Sequence, residues 1–133
     1  MAKTVLAVDD EKHIVRLVQV NLQRGGYDVV TASDGKQALD MIEANPPDMV
    51  ISDVMMPQMD GFELLKRLKQ NPVTRELPII MLTAKAMDSD VYEGWRAGAD
   101  VYLTKPFNPQ ELLMWVRRIF EGRETQDDKR VEL

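Results

Sequence analysis

The stretch SDVMMPQMDG, residues 52–61, follows the apolar run MVI at residues 49–51. This pattern predicts a buried strand that Asp53 closes, and the later Asp60-Gly61 pair is typical of a turn. No basic residue stands near Asp53 in the sequence. Its partners must therefore come from other parts of the chain, and the positions of the other strand ends decide what Asp53 can do.

Short apolar runs alternate with longer amphipathic stretches along the chain. The runs are rich in Val, Ile and Leu, and at least three of them show little alternation of apolar and polar residues, which is typical of strands covered on both faces. The alternation of strands and helices indicates the α/β class, with a doubly wound five-stranded parallel sheet and five helices. The predicted strands are 4–8, 27–32, 48–52, 77–83 and 100–104, and the predicted helices are 11–24, 35–44, 61–70, 87–97 and 109–121.

Length and composition suit one globular domain. The chain has 133 residues, 44% of them hydrophobic, and no cysteine, so disulfides and thiolate metal sites are excluded. A formal net charge of −5 argues against direct binding to nucleic acid or to an anionic membrane surface. No apolar run approaches the length of a signal-peptide core or a membrane span, so we expect a cytoplasmic protein.

The end of the chain differs in composition from the rest. From Glu121 onward the sequence EGRETQDDKRVEL is polar and charged. We therefore predict a domain over residues 1–121, followed at 122–133 by a flexible tail or the start of a linker.

Polar residues stand at the ends of four predicted strands. The carboxyl ends of parallel strands share one edge of an open sheet, where ligands bind, so we expect these side chains to lie close together. Each has an ordinary structural role as well, since Asp9 or Asp10 can cap the first helix and threonine is common in strands. Only their combination at one edge favours a functional site. The residues are Asp9, Asp10 and Glu11 after the first strand, Asp53 after the third, Thr83 at the fourth and Lys105 after the fifth.

Phosphoryl transfer to a carboxylate is a chemistry that uses all these groups. Three neighbouring acids repel one another, which raises the pKa of at least one of them, and a hard cation such as Mg²⁺ removes that penalty. An ionised Asp53 can attack phosphorus and form an acyl phosphate. A lysine and a threonine hydroxyl would then stabilise the new charge. The sequence thus predicts Asp53 as a phospho-acceptor.

Four motifs together resemble the receiver domain of bacterial two-component response regulators: VDDE at 8–11, SDVMMPQMDG at 52–61, MLTAK at 81–85 and YLTKPF at 102–107. The resemblance covers residues 3 to about 121 and implies the flavodoxin-like strand order 2-1-3-4-5, for which a chemotaxis receiver is itself a reference example. It also implies a Mg²⁺ site. Asp10, Asp53 and the backbone carbonyl of Met55 would hold the ion, and Asp9 would act mainly through water.

The same resemblance implies a phosphorylation-activated switch. Lys105 would pair with the phosphoryl group, Thr83 would hydrogen-bond to it, and Tyr102 would turn inward when Thr83 moves. The domain would be a phospho-acceptor that assists its own phosphorylation and dephosphorylation rather than an enzyme. We also expect a cis bond at Lys105-Pro106, because only X–Pro bonds adopt this form at modest cost.

Partners follow from the resemblance as well. A histidine kinase or a histidine phosphotransfer protein would supply the phosphoryl group and dock on the first helix, where Ile14 and Leu17 are candidate contacts. Met114 and Trp115, on the rim of the last helix, are candidate contacts for a phosphorylation-dependent homodimer or an output partner. The expected response is a shift of the face formed by the fourth helix, the fifth strand and the fifth helix.

Three other interpretations compete with the receiver. A flavin-binding electron carrier needs a phosphate-cradling loop after the first strand, where Asp9-Asp10-Glu11 would repel a phosphate. A haloacid-dehalogenase-like phosphatase has an acid two residues after its nucleophile, where this chain has Met55. A degenerate receiver would lack one of the five site residues, and none is missing. A complete receiver is therefore expected, either alone or as a fragment of a longer DNA-binding transcriptional regulator.

Overall fold

The computed structural model describes residues 2–83 and 98–132, with side chains described as far as Gly122. Within these residues the strands are β1 (Thr4–Val8), β2 (Asp28–Ala32), β3 (Met49–Asp53), β4 (Ile79–Thr83) and β5 (Val101–Thr104). The helices are α1 (Lys12–Arg24), α2 (Gly35–Ala44), α3 (Gly61–Gln70) and α4 (Pro109–Glu132). The predicted helix at 87–97 lies outside the described residues, so α4 corresponds to the fifth predicted helix.

The strands form one parallel sheet in the order β2-β1-β3-β4-β5, which confirms the predicted topology. The chain moves to one side of β1 to make β2 and to the other side to make β3. The ends of β1 and β3 therefore lie side by side, with Val8 paired to Ser52. This junction is the topological switch point, where open α/β sheets bind their ligands.

Alternate residues of the strands pack on opposite faces of the sheet. On β3 and β4, Val50 and Met81 contact the core beneath α2 and α3, whereas Ile51 and Leu82 contact the core beneath α1 and α4. Burial of each such side chain contributes about 2 kcal/mol. Burial on both faces explains why β3 and β4 read as continuous apolar runs, whereas β2 at the edge of the sheet is partly exposed. Within the described residues, no helix is both long and apolar enough to cross a membrane.

The three N-terminal helices begin in two different ways. Asp34 caps α2 and Asp60 caps α3, each accepting a hydrogen bond from the backbone three residues on, at 2.8 Å and 2.9 Å. In α1 the N-cap position belongs to Glu11, whose side chain makes no cap hydrogen bond. The interpretation of Asp9 or Asp10 as the cap of α1 is therefore wrong, and this leaves the acids at the end of β1 for another role.

The last helix runs past its predicted end. The backbone of α4 is helical to Glu132, so the end predicted at residue 121 is wrong. Gly122 weakens the helix there by about 1 kcal/mol relative to alanine, but the Glu, Arg, Gln and Lys residues that follow favour helix and no proline interrupts them. The sequence after residue 121 lacks an apolar stripe, which suggested a tail. Residues that extend an existing packed helix do not have to nucleate a new one, so they can continue the helix without such a stripe. The domain boundary at residue 121 stays a prediction.

Candidate functional site

Three carboxylates converge at the switch point. Asp9 and Asp10 directly follow β1, and Asp53 ends β3, the neighbouring strand. One carboxylate oxygen from each residue lies within 4.8 Å of the others. Asp9 and Asp53 are buried and Asp10 is exposed, so the cluster opens to solvent on one side. Hard oxygen ligands in this arrangement could hold a divalent cation such as Mg²⁺.

The ammonium group of Lys105 lies among these acids. Its Nζ is 2.7 Å from Asp9 Oδ2 and 3.3 Å from Asp53 Oδ2. The lysine follows β5, and its backbone N–H donates to the Thr83 carbonyl at 2.6 Å, which extends the β4–β5 pairing. The bond from Lys105 to Pro106 is cis, as predicted. The structure thus brings a basic partner to Asp53 from two strands away.

The electrostatics of the cluster are dominated by burial and by the neighbouring charges. Burial, followed by the charge of Asp9, raises the pKa of Asp53 from 3.8 to about 6, although Lys105 and a backbone hydrogen bond from Met55 oppose the rise. Burial alone would lower the pKa of Lys105, but the carboxylates of Asp9 and Asp53 raise it above its ordinary value. Lys105 therefore stays charged and balances only part of the negative charge.

The remaining predicted site residues surround this cluster. Met55 lies two residues beyond Asp53 in the loop at 54–60, with its backbone beside the Asp53 carboxylate and its side chain exposed. Thr83 is buried at the end of β4, one residue beyond Leu82, the partner of Asp53 in the sheet. Tyr102 is paired with residue 81 on β4, its hydroxyl oxygen is buried, and it packs on the core beneath α2 and α3.

The four candidate contact residues for partners differ in exposure. Leu17 on α1 and Met114 on α4 are both 37% exposed. Ile14 and Trp115 are half-buried and pack on the core beneath α1 and α4. The Trp115 ring also lies 5.6 Å from the guanidinium carbon of Arg118. Leu17 and Met114 thus present apolar surface to solvent, whereas Ile14 and Trp115 mainly contribute to packing.

Glu11, which the sequence placed after the first strand without assigning it a role in the site, also contacts the cluster. Its backbone N–H donates to Asp9 Oδ1 at 3.0 Å, and its Oε1 lies 3.4 Å from Lys105 Nζ. The signal was its place directly after the two aspartates. That signal was ambiguous because glutamate is favoured in the first turn of any helix.

The geometry of the site agrees with the outcome of sequence comparison. A model of the response regulator receiver domain matches residues 5–117. The chain belongs to this family. Receiver domains of response regulators are phospho-acceptor signalling domains, and histidine kinases phosphorylate them. The interpretations as a flavin carrier or a phosphatase are thereby set aside.

Relatives of this receiver domain include longer regulators. It is 48% identical over 124 residues to the alkaline phosphatase synthesis transcriptional regulatory protein PhoP of Bacillus subtilis, with 93% of this chain and 51% of PhoP covered. It is 43% identical over 131 residues to the response regulator GtcR of Aneurinibacillus migulanus, with 96% and 53% covered. The chain therefore spans about half the length of both relatives.

Solved structures include a close match to the whole fold. The chemotaxis protein CheY4 of Vibrio cholerae superposes on this receiver domain with a TM-score of 0.84 at 42% identity. The match covers 89% of this chain and 98% of CheY4. The receiver fold therefore accounts for nearly all of the described residues.

Proposed function

We propose that this receiver domain accepts a phosphoryl group on Asp53, with Mg²⁺ as its cofactor, from a histidine kinase or a histidine phosphotransfer protein. The observation that carries the proposal is the position of Lys105 Nζ, 3.3 Å from the carboxylate of Asp53 and 2.7 Å from that of Asp9. A nucleophilic carboxylate, further acids for a cation and a lysine for the product charge thus lie together. This set matches the needs of phosphoryl transfer to aspartate.

The residues present fit Mg²⁺. Carboxylate oxygens of Asp9, Asp10 and Asp53 lie within 4.8 Å of one another, and burial followed by the charge of Asp9 raises the pKa of Asp53, so a bound cation would favour its charged form. Asp10, Asp53 and the backbone carbonyl of Met55 would hold the ion, with Asp9 acting mainly through water. When bound, Mg²⁺ supplies positive charge that stabilises the phosphoryl oxygens during transfer.

Asp53 acts as the nucleophile in this proposal. A carboxylate oxygen forms a bond to phosphorus while the bond from phosphorus to the donor nitrogen breaks, and the nitrogen keeps the electron pair. The product is an acyl phosphate on Asp53. Lys105 pairs with its oxygens, and the Thr83 hydroxyl donates a hydrogen bond to one of them. Later attack by water on the same phosphorus restores the carboxylate, so the domain assists both directions of its switch.

The response to phosphorylation would run through β4 and β5. Thr83 and Tyr102 lie on these neighbouring strands, and Tyr102 packs on the core beneath α2 and α3. A move of Thr83 toward the phosphoryl group favours the inward position of Tyr102, whose hydroxyl oxygen is buried here, and biases the face to which β5 and α4 belong. Met114 and Trp115 on α4 would then contact a second copy or an output partner.

The output itself has two candidates. The name of the Bacillus relative describes a transcriptional regulator, and this chain covers 51% of it. A fragment of a longer DNA-binding regulator is therefore one proposal, and a stand-alone regulator resembling CheY4 in extent is the other. The acidic net charge of −5 supports an indirect role for this domain in either case. The cytoplasmic location stays a prediction.

Phosphorylation with a small donor tests the central proposal. Incubation with acetyl phosphate and Mg²⁺ should add one phosphoryl group, and peptide mapping should place it on Asp53. Asp53→Asn should abolish uptake, a chelator should block it, and Asp40→Asn, at an exposed position on α2, should leave it unchanged. Uptake by the Asp53→Asn variant, or a phosphoryl group mapped to another residue, would refute the assignment.

A further inference from the structure

The first turn of α2 packs directly against the loop that follows β3. Gly35 is the first residue of α2 and is buried. A Cβ built at position 35 would overlap the carbonyl oxygen of Met59 and lie 2.9 Å from the Met59 Cβ. The obstacle is mainly backbone, which cannot rotate away as a flexible side chain can. Any residue larger than glycine at position 35 must therefore displace the Met59 peptide.

Backbone hydrogen bonds restrain the loop at 54–60, so it cannot easily accommodate such a displacement. At its two ends, Val54 N–H donates to the Leu82 carbonyl at 2.9 Å and Gly61 N–H donates to the Val54 carbonyl at 2.8 Å. Near its middle, Met59 N–H donates to the Pro57 carbonyl at 2.8 Å, and Gln58 has a φ of 70°. An i to i+2 hydrogen bond around such a residue is typical of the strained γ-turn. A shift at Met59 is thus passed along the loop.

The same loop carries a backbone group of the acid cluster. Met55, four residues before Met59, hydrogen-bonds through its backbone to the Asp53 carboxylate. The strand that leads into α2 contacts the cluster from the other side, because the Ala32 carbonyl accepts from Asp9 N–H at 3.2 Å. The contact between Gly35 and Met59 therefore joins the start of α2, which follows β2, to the loop that carries the Met55 backbone.

We propose that Gly35 is a positioning residue for the cation site. Its missing side chain lets the Met59 peptide lie against α2, and this contact sets the place of the Met55 backbone relative to Asp9 and Asp53. The inference rests on the proposed function, since it assumes that the acids and the Met55 carbonyl hold Mg²⁺. Groups outside the direct ligands that orient those ligands commonly change metal affinity when they are altered.

Gly35→Ala tests the proposal, with Gly122→Ala as a matched control because a Cβ at position 122 meets no atom within 4 Å. In calorimetric titrations, Gly35→Ala should weaken Mg²⁺ binding about tenfold, and Gly122→Ala should not change it. The Mg²⁺ concentration that gives half-maximal phosphoryl uptake should rise by the same factor, while the rate at saturating Mg²⁺ stays near that of the unaltered protein. Unchanged Mg²⁺ affinity in Gly35→Ala, or an equal loss of rate at every Mg²⁺ concentration, would overturn it.

A measurement on the unaltered protein does not depend on how the variant folds. Mg²⁺ titrated into the ¹⁵N-labelled chain should shift the amide resonance of Gly35 together with that of Asp53, and leave that of Gly26 in place. A shift at Asp53 with none at Gly35 would overturn the positioning role alone. Absence of any Mg²⁺ binding to the unaltered protein would instead refute the proposed function, and with it this inference.

Discussion

The ammonium nitrogen of Lys105 is closer to Asp9 than to Asp53, at 2.7 Å against 3.3 Å. The lysine therefore compensates the charge of Asp9 more fully than that of the residue proposed to accept the phosphoryl group. Burial of the carboxylate, followed by the charge of Asp9, raises the pKa of Asp53 to about 6, and the more distant Lys105 offsets only part of this rise. Protonation, metal binding and the stability of the fold are consequently linked at this one carboxylate.

The first prediction concerns the stability cost of Asp53. Its pKa is about 6 in the folded protein against an ordinary value of 3.8, so the folded state binds the proton more tightly and loses stability as the pH rises through this window. Near neutral pH, in a buffer that contains a metal chelator, Asp53→Asn should raise the free energy of unfolding by about 1–3 kcal/mol. This gain in stability should shrink as the pH falls from about 6 toward 3.8. Urea denaturation measures it, and an equal gain at both ends of the window would contradict the assignment.

Lys105→Met should have the opposite effect on stability. Removal of the ammonium group leaves the negative charge of the buried carboxylates without a positive partner. The free energy of unfolding, measured in a buffer that contains a metal chelator, should therefore fall by about 1–3 kcal/mol. Added Mg²⁺ should stabilise this variant more than the unaltered protein, because the cation replaces the missing charge. Thermal melts with and without Mg²⁺ measure both effects. Lys36→Met, at an exposed position on α2, is the control, and a loss of the same size there would argue against a role of the cluster.

The lifetime of the acyl phosphate should depend on position 55. The Met55 side chain is 72% exposed beside the cluster and cannot orient a water molecule as an amide or carboxylate can. Met55→Asn should shorten the lifetime about twofold to tenfold, and addition of Lys85→Glu, which lies outside the described residues, should shorten it further. The rate is measured by intact-protein mass spectrometry, as the decay of the phosphorylated species with time. Val73→Asn changes an equally exposed side chain, so a comparable shortening in that variant would argue against the mechanism.

Donor docking should depend on Leu17. This side chain is 37% exposed on α1, the helix that begins at the site. Leu17→Ala should slow transfer from the cognate phosphorylated donor protein about fivefold, the effect of about 1 kcal/mol of lost contact, and leave uptake from acetyl phosphate unchanged. Met114→Ala removes an equally exposed side chain from α4 and should not slow transfer. Equal slowing with both donors would indicate damage to the fold instead.

Association after phosphorylation should depend on the rim of α4. Met114 is exposed and Trp115 packs partly on the core, so Met114→Ala should preserve the fold better than Trp115→Ala. Both single variants and the double variant should reduce the change in association that acetyl phosphate produces, measured by sedimentation velocity. Leu17→Ala serves as the control on another helix. A folded double variant that takes up phosphate and keeps the full shift would exclude this surface as the output.

The strands could be predicted because burial on both faces leaves a strong mark in the sequence, whereas their order was implied by the resemblance to receiver domains. Short apolar runs such as MVI before Asp53, bounded by turn residues, are typical of strands buried on both faces. The convergence of Asp53 and Lys105 followed from topology, since strand ends of a parallel sheet share an edge. Both predictions rest on properties of whole strands, to which many residues contribute.

Features set by single contacts were harder to predict. The capping position of α1 at Glu11 and the continuation of α4 beyond residue 121 depend on small free-energy differences between similar local conformations. The approach of Gly35 to Met59 joins residues far apart in sequence, and Asp34-Gly35 alone is a common turn dipeptide. Long-range packing of this kind leaves no periodic signal in either segment.

The buried pair of Lys105 and Asp9 also determines how the site responds to simple salt. Both side chains are largely shielded from water, with 11% and 3% of their surfaces exposed, whereas the pair of Arg67 and Glu63 on α3 is open to solvent. Monovalent ions screen exposed pairs over a Debye length of about 8 Å at physiological ionic strength but reach buried pairs much less. The Lys105–Asp9 pair is thus much less sensitive to ionic strength than an exposed pair such as Arg67–Glu63.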